Sequence, residues 1–240
     1  MRSYADQIDS GGSSMQEIVS AALAAARPQP RLRWLDIGCG RGDLLREVKE
    51  RWQPSQLDGI DPIDWLAEDL RADVRFEELP AEEADRLQAA DRVLMIEVIE
   101  HLEAPWRALR SAAGRVAPGG WLVVSTPNLA TLRNRLELGL RGNLTSFRPG
   151  YDPHISPALP HVTERILREV GLSVQPPQYA GADVISFSGG RVWPEAIRKR
   201  SPRLTSVSVV IAAQRAGAAE AAAEADGEAT AEADAAAKAG

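Results

Sequence analysis

Apolar residues fall along this chain in short runs separated by stretches of helical spacing. Residues 32–37 form an apolar run ending in glycines, which predicts a buried strand. Across residues 43–52, Leu44, Leu45, Val48 and Trp52 recur with a helical period. Residues 57–60 predict a second strand stopped at Asp61-Pro62, and residues 63–70 a helix. A third strand is expected at 74–76, a helix or turn at 85–89, and a wholly apolar fourth strand at 93–96. Residues 104–116 read as a helix closed by Pro118-Gly119-Gly120. A fifth strand follows at 121–125 and stops at Pro127-Asn128.

The pattern then changes. Residues 129–160, rich in Arg, Gly and Pro, predict a helix and a long irregular loop. Helical spacing returns at 162–170, and the last two strands are expected at 172–174 and 206–212. Strands alternating with helices predict an α/β fold with a doubly wound, mostly parallel sheet. At the start, residues 15–26 predict a helix, with Ser14 and Glu17 as its capping box. The expected organisation is a helical extension at 1–30, the main domain at 31–213 with a lid or acceptor segment at 129–160, and a tail at 214–240.

Charge sharpens this division. The 240 residues carry 28 basic and 34 acidic side chains, a net of −6. Within 216–240, Glu220, Glu224, Asp226, Glu228, Glu232 and Asp234 oppose Lys238, so this stretch accounts for −5. It contains no Leu, Ile, Val or aromatic residue, and a disordered acidic tail is expected. The body is therefore close to neutral, which gives a nucleic-acid partner no positive support. Residues 18–26 are apolar, but Asp6, Asp9 and Glu17 precede them where a signal peptide carries positive charge. No apolar run approaches membrane-spanning length, and a cytoplasmic location is expected. Cys39 is the only cysteine, which excludes an internal disulfide. Arg outnumbers Lys 25 to 3, a bias associated with GC-rich bacterial genomes.

The chemistry begins at Asp36-Ile37-Gly38-Cys39-Gly40-Arg41-Gly42, between a predicted strand and a predicted helix. Glycines there let the backbone turn sharply and approach a ligand at a helix N-terminus. Asp61 ends the second strand, where a doubly wound sheet places an acid against ribose hydroxyls. A dinucleotide fingerprint would require glycine at position 43, which is Asp. The D-x-G-x-G-x-G form instead resembles the class I S-adenosylmethionine-dependent methyltransferases, in particular the ubiquinone-biosynthesis O-methyltransferase-like group. The resemblance implies a Rossmann-like seven-stranded sheet and S-adenosylmethionine as cofactor. It implies cofactor binding by Asp36, Gly38, Cys39, Gly40, Gly42, Asp61, Pro62 and Glu97. Glu77 or Glu78 would meet the adenine, and the segment 115–122 resembles the family's lead into its fifth strand.

After the fourth strand comes Glu97-Val98-Ile99-Glu100-His101-Leu102, at the sheet end where open α/β folds bind ligands. The family places the residue at Glu97 near the sulfonium and the acceptor. His101 and His154 are candidate catalytic groups, since imidazole takes a proton from a hydroxyl near neutral pH. The implied reaction is transfer of a methyl group to a small-molecule acceptor, at oxygen, by in-line displacement. No metal ligands are assigned. An alternative is a metal-dependent RNA 2′-O-methyltransferase using Glu97, Glu100, His101 and either His154 or His161. Another is a non-catalytic methyltransferase-like binding protein. The segment Ser125-Thr126-Pro127-Asn128 resembles ubiquinone-type relatives, with Asn128 expected to face the pocket. Beyond it, leucines interleaved with Arg133, Arg135 and Arg141 predict an amphipathic helix, and Arg191 to Arg203 a second basic run. Both suit an anionic or lipid-linked acceptor.

Overall fold

The computed structural model describes residues 4–150, 153–185 and 190–217. Strand β1 (Arg33–Ile37) is buried from its second residue on, as a central parallel strand requires. Helix α2 (Asp43–Trp52) follows it and buries Leu45 and Val48. The remaining strands are β2 (Gln56–Asp61), β3 (Val74–Glu78), β4 (Ala90–Ile96), β5 (Val116–Pro127), β6 (Leu172–Val174), β7 (Gln178–Ala182) and β8 (Ser206–Arg215). The sheet runs β3-β2-β1-β4-β5-β8-β6. Strands β1 to β5 are parallel, and β8 is antiparallel to β5. Strand β6 pairs with residues 213–215 of β8, and β7 with residues 206–210. Both lie beyond β8, so eight strands occupy seven positions across the sheet.

Two apolar layers enclose the sheet. On one side, α3 (Pro105–Ala113) and α5 (Pro160–Glu169) contribute Ala108, Leu109, Ile166 and Leu167. On the other, α1 (Tyr4–Ala25) and α2 contribute Ile18, Leu23, Leu45 and Val48. The strand order reverses between β1 and β4, and the carboxyl ends of those strands open a crevice. Helix α4 (Leu132–Arg141) follows β5, while α6 (Glu195–Arg200) and α7 (Pro202–Thr205) precede β8.

Several elements differ from the sequence pattern. Helix α1 begins at Tyr4, so Ser14 and Glu17 lie inside it and form no capping box. Ser14 donates instead to Ala182 O, and Glu17 pairs with Arg198. Residues 63–67 are not helical; only Glu68–Leu70 forms a 3₁₀ turn. Asp64 accepts from Leu66 N and from Arg71, local bonds that compete with a helix. Helix α3 ends at Ala113, and Pro118-Gly119-Gly120 belongs to β5, which already pairs at Val116 with Ala90. Strand β7 lies where no strand was expected. Residues 218–240, most of the expected tail, lie outside the described residues.

Candidate active site

The loop after β1 is folded on the end of β2. Gly38 N and Cys39 N both donate to Ile60 O, at 2.8 and 3.0 Å. Gly40 N donates to Asp61 Oδ2 and Ile63 N to Asp61 Oδ1, each at 3.1 Å. The Asp61 carboxylate is thus pinned by one backbone N–H on each oxygen and keeps a lone pair on each. Burial raises its proton affinity.

Two glycines are required by the geometry. Gly38 has φ +77°, and a Cβ there would sit 2.5 Å from Val98 Cγ2. That approach packs the loop against the Glu97–His101 segment. Gly42 has φ +84°, caps α2, and faces Leu66 and Leu70 at under 3 Å from any added Cβ. Cys39 is buried over β2, with Sγ 2.9 Å from where a Gly59 Cβ would stand. Burial and the carboxylates of Asp36 and Asp61 push its thiol up. Asp36 lies beneath the loop, and burial, then the Asp61 charge, pushes it up to about 8. Pro62 is exposed beside Asp61, and the β2–β3 register sets Glu77 and Glu78 opposite Ile60 and Asp61.

The second half of the site is at the ends of β4 and β5. Glu97 adopts φ +54°, a left-handed conformation unfavourable for a residue with a Cβ. Its Oε1 accepts from Ser125 Oγ at 2.7 Å and Ser208 Oγ at 2.6 Å, and its N–H donates to Ser125 Oγ at 3.0 Å. Glu100 lies in the 3₁₀ turn Ile99–His101 and is wholly buried. Among the described residues no hydrogen bond of good geometry reaches its carboxyl oxygens, although the Thr126 hydroxyl and the Glu97 carboxyl stand against them. Burial and the Glu97 charge drive the Glu100 carboxyl well above the ordinary range.

His101 Nδ1 lies 2.7 Å from Pro153 O. A carbonyl only accepts, so Nδ1 carries the proton and Nε2 keeps its lone pair. Nε2 is 4.0 Å from Glu100 Oε1. Burial lowers the proton affinity of His101, which keeps the ring neutral at physiological pH. His154 meets His101 edge to face at 4.7 Å, and Phe147 covers His154 at 5.4 Å. Burial and the neighbouring His101 lower His154 to about 4.

The structure therefore joins His101, His154 and Glu100 into one cluster, with Glu97 beside it. One ligand atom from each of Glu100, His101 and His154 lies within 4.8 Å of the others. His161 is exposed on α5, outside this cluster. Asn128 does not face the pocket. It is buried, donates to Arg203 O and Ser206 O, and ties β5 to the start of β8. Ser208 and Phe147 were not singled out in the sequence. A serine inside the apolar run Val207 to Ile211 was a readable signal for Ser208.

A family model described as a methyltransferase domain matches residues 12–176. The chain is 30% identical over 201 residues to a ubiquinone biosynthesis O-methyltransferase of Rhizobium rhizogenes, covering 80% of this chain and 77% of that one. It is 30% identical over 185 residues to the human mitochondrial protein of the same name, covering 70% of this chain but 48% of that one. Among solved structures, an N-methyltransferase of Bradyrhizobium japonicum in complex with S-adenosyl-L-homocysteine superposes with a TM-score of 0.58 at 14% identity, covering 87% and 90% of the two chains. A SAM-dependent methyltransferase of Archaeoglobus fulgidus gives 0.57 at 18% identity, covering 82% and 91%.

Proposed function

The chain belongs to the methyltransferase domain family, and we propose that it moves the methyl group of S-adenosylmethionine onto an oxygen of a small-molecule acceptor. The observation that carries the oxygen reading is the neutral His101 ring, fixed by Pro153 with Nε2 available to take a hydroxyl proton. When bound, S-adenosylmethionine supplies a methyl group already activated on a sulfonium. The chain's own task is to bind, orient and keep water out.

The donor set fits that cofactor. Asp61 offers two preset carboxylate oxygens for vicinal ribose hydroxyls, with Pro62 beside it. The Gly38, Cys39, Gly40 and Gly42 backbone, above Asp36, suits the methionine end. Glu97, held by Ser125 and Ser208, faces the reacting region. His154, brought down to about 4, is a weaker base than an ordinary imidazole, and its edge-to-face contact would hold the His101 ring in place. In this reading the catalytic domain runs from 31 to the end of β8 at Arg215, two residues past the expected boundary at 213, residues 1–30 extend it, and 129–160 selects the acceptor.

Incubation with methyl-labelled S-adenosylmethionine and a panel of hydroxylated metabolites tests the proposal. Label on an oxygen is expected, and label only on nitrogen or carbon overturns it.

A second reading is favoured by the buried Glu100 carboxylate, which stands with two imidazoles in one cluster. Glu100, His101 and His154 have the donor types and spacing to hold a divalent cation. Such an ion would polarise an acceptor hydroxyl, as a metal-dependent RNA 2′-O-methyltransferase requires. This reading expects a chelator to abolish turnover, and activity that survives chelation removes it.

A further inference from the structure

Strand β5 ends at Pro127 and α4 begins at Leu132, so the first turn of the helix starts at the carboxyl end of the sheet. Polar contacts fix that turn. The Thr131 hydroxyl accepts from Asn134 N at 3.1 Å, and Asn134 donates to Asn128 O at 3.0 Å. Asn128 in turn donates to Arg203 O and Ser206 O. Arg133 sits within this turn. Its side chain is 35% exposed, and its Nη1 faces Asp183 Oδ1 at 3.9 Å, too long for a hydrogen bond. Among the described residues the Arg133 guanidinium donates no hydrogen bond, so its planar fork of N–H groups is unused. Other cations nearby are committed: Arg135 donates to Ala130 O, Arg141 pairs with Glu137, and Arg198 pairs with Glu17.

Asp183 does not depend on this arginine. It is buried, its Oδ1 accepts from Val184 N at 2.8 Å, and the Thr131 hydroxyl stands against it. Burial raises its proton affinity in spite of the cation. The pair therefore does more for Arg133 than for Asp183: the carboxylate aims the guanidinium and offsets part of its charge. The position is also telling. Ala182 pairs with Ser206 in the β7–β8 ladder, and Ser208, two residues along β8, donates to Glu97 Oε1 at 2.6 Å. Two strand residues and one side chain put the Arg133 guanidinium on the order of 10 Å from the Glu97 end of the site.

Resting on the reading of oxygen transfer above, we propose that Arg133 receives a carboxylate of the acceptor, which is then a compact hydroxy acid with its hydroxyl toward His101 and its acid end on the guanidinium. A guanidinium fork meets two carboxylate oxygens with two parallel hydrogen bonds. With Asp183 behind it, Arg133 presents less than a full positive charge, which favours a monoanion over the dianion of a phosphate monoester.

Turnover with methyl-labelled S-adenosylmethionine tests it, using aromatic and aliphatic hydroxy acids, each beside its primary amide, and hydroxylated phosphate monoesters. The best acid is expected to be methylated on oxygen with kcat/KM at least about tenfold above its amide. Arg133→Met is expected to raise KM for the acid about tenfold, keep kcat within about twofold, and leave the amide unaffected. Arg133→Lys, which keeps the charge but not the fork, is expected to recover part of that loss. Label on the oxygen of acid and amide alike overturns this proposal and leaves the oxygen reading standing, whereas label on no oxygen overturns both. An unchanged KM in Arg133→Met, an equal loss for the amide, no recovery with Arg133→Lys, or a phosphate monoester used better than any carboxylate also overturns it.

Discussion

On the side of the crevice proposed for the cofactor, the loop amides of Gly38, Cys39 and Gly40 are engaged across β1 and β2 with Ile60 O and the Asp61 carboxylate. On the side proposed for the acceptor, Glu100 buries a carboxyl, Glu97 holds a left-handed backbone, and α4 leaves Leu138 and Leu140 more than half exposed. A region serving an invariant ligand can satisfy its polar groups internally and present a finished surface. A region proposed to serve the variable partner keeps a buried carboxyl, backbone strain and apolar surface.

The contrast can be broken at either end. The largest effect is expected from His101→Ala, which should lower turnover by about 10²–10⁴-fold. Cofactor affinity, read by calorimetry, should stay near that of the parent. Comparable losses in both would mean that the halves are not separable. Next comes Gly38→Ala, which forces a Cβ onto Val98 at an unfavourable φ and should cost about 2–4 kcal/mol in denaturant unfolding. Adding Val98→Ala should recover the clash but not the backbone cost. Asp61→Ala should weaken cofactor binding about 10–100-fold by removing a charged hydrogen-bond acceptor. Turnover at saturating cofactor should fall far less.

The smallest effect concerns pH. Asp36 is pushed up to about 8 in the folded chain from 3.8, so the folded state holds a proton that the unfolded state releases. Its contribution to stability is complete below the unfolded value and is lost as pH rises toward 8. Asp36→Asn should therefore melt like the parent near pH 4 and roughly several °C higher at alkaline pH. An identical offset at both pH values would count against a buried neutral carboxyl.

The glycine loop, Asp61 and the alternation of strands and helices were legible because each is encoded within a few adjacent residues. Residues 63–67 were not, since the Asp64 side chain decides them. Strand β7 was not, since Gln178-Tyr179-Ala180-Gly181-Ala182 has no β-branched residue and becomes a strand only by pairing with β8. The three histidines were visible as candidates, but which of them meets His101 depends on how the loop after α4 folds back. The outward leucines of α4 read in the sequence as an ordinary amphipathic helix, because periodicity shows a stripe and not the direction it faces.

Cys39 has a practical consequence. The chain's single thiol lies buried within the glycine loop after β1, with its proton affinity raised. Alkylating reagents attack the thiolate, so reaction must wait for the loop to open. Its labelling rate is therefore a clock for that opening, and bound cofactor should slow it in proportion to occupancy without any engineered probe.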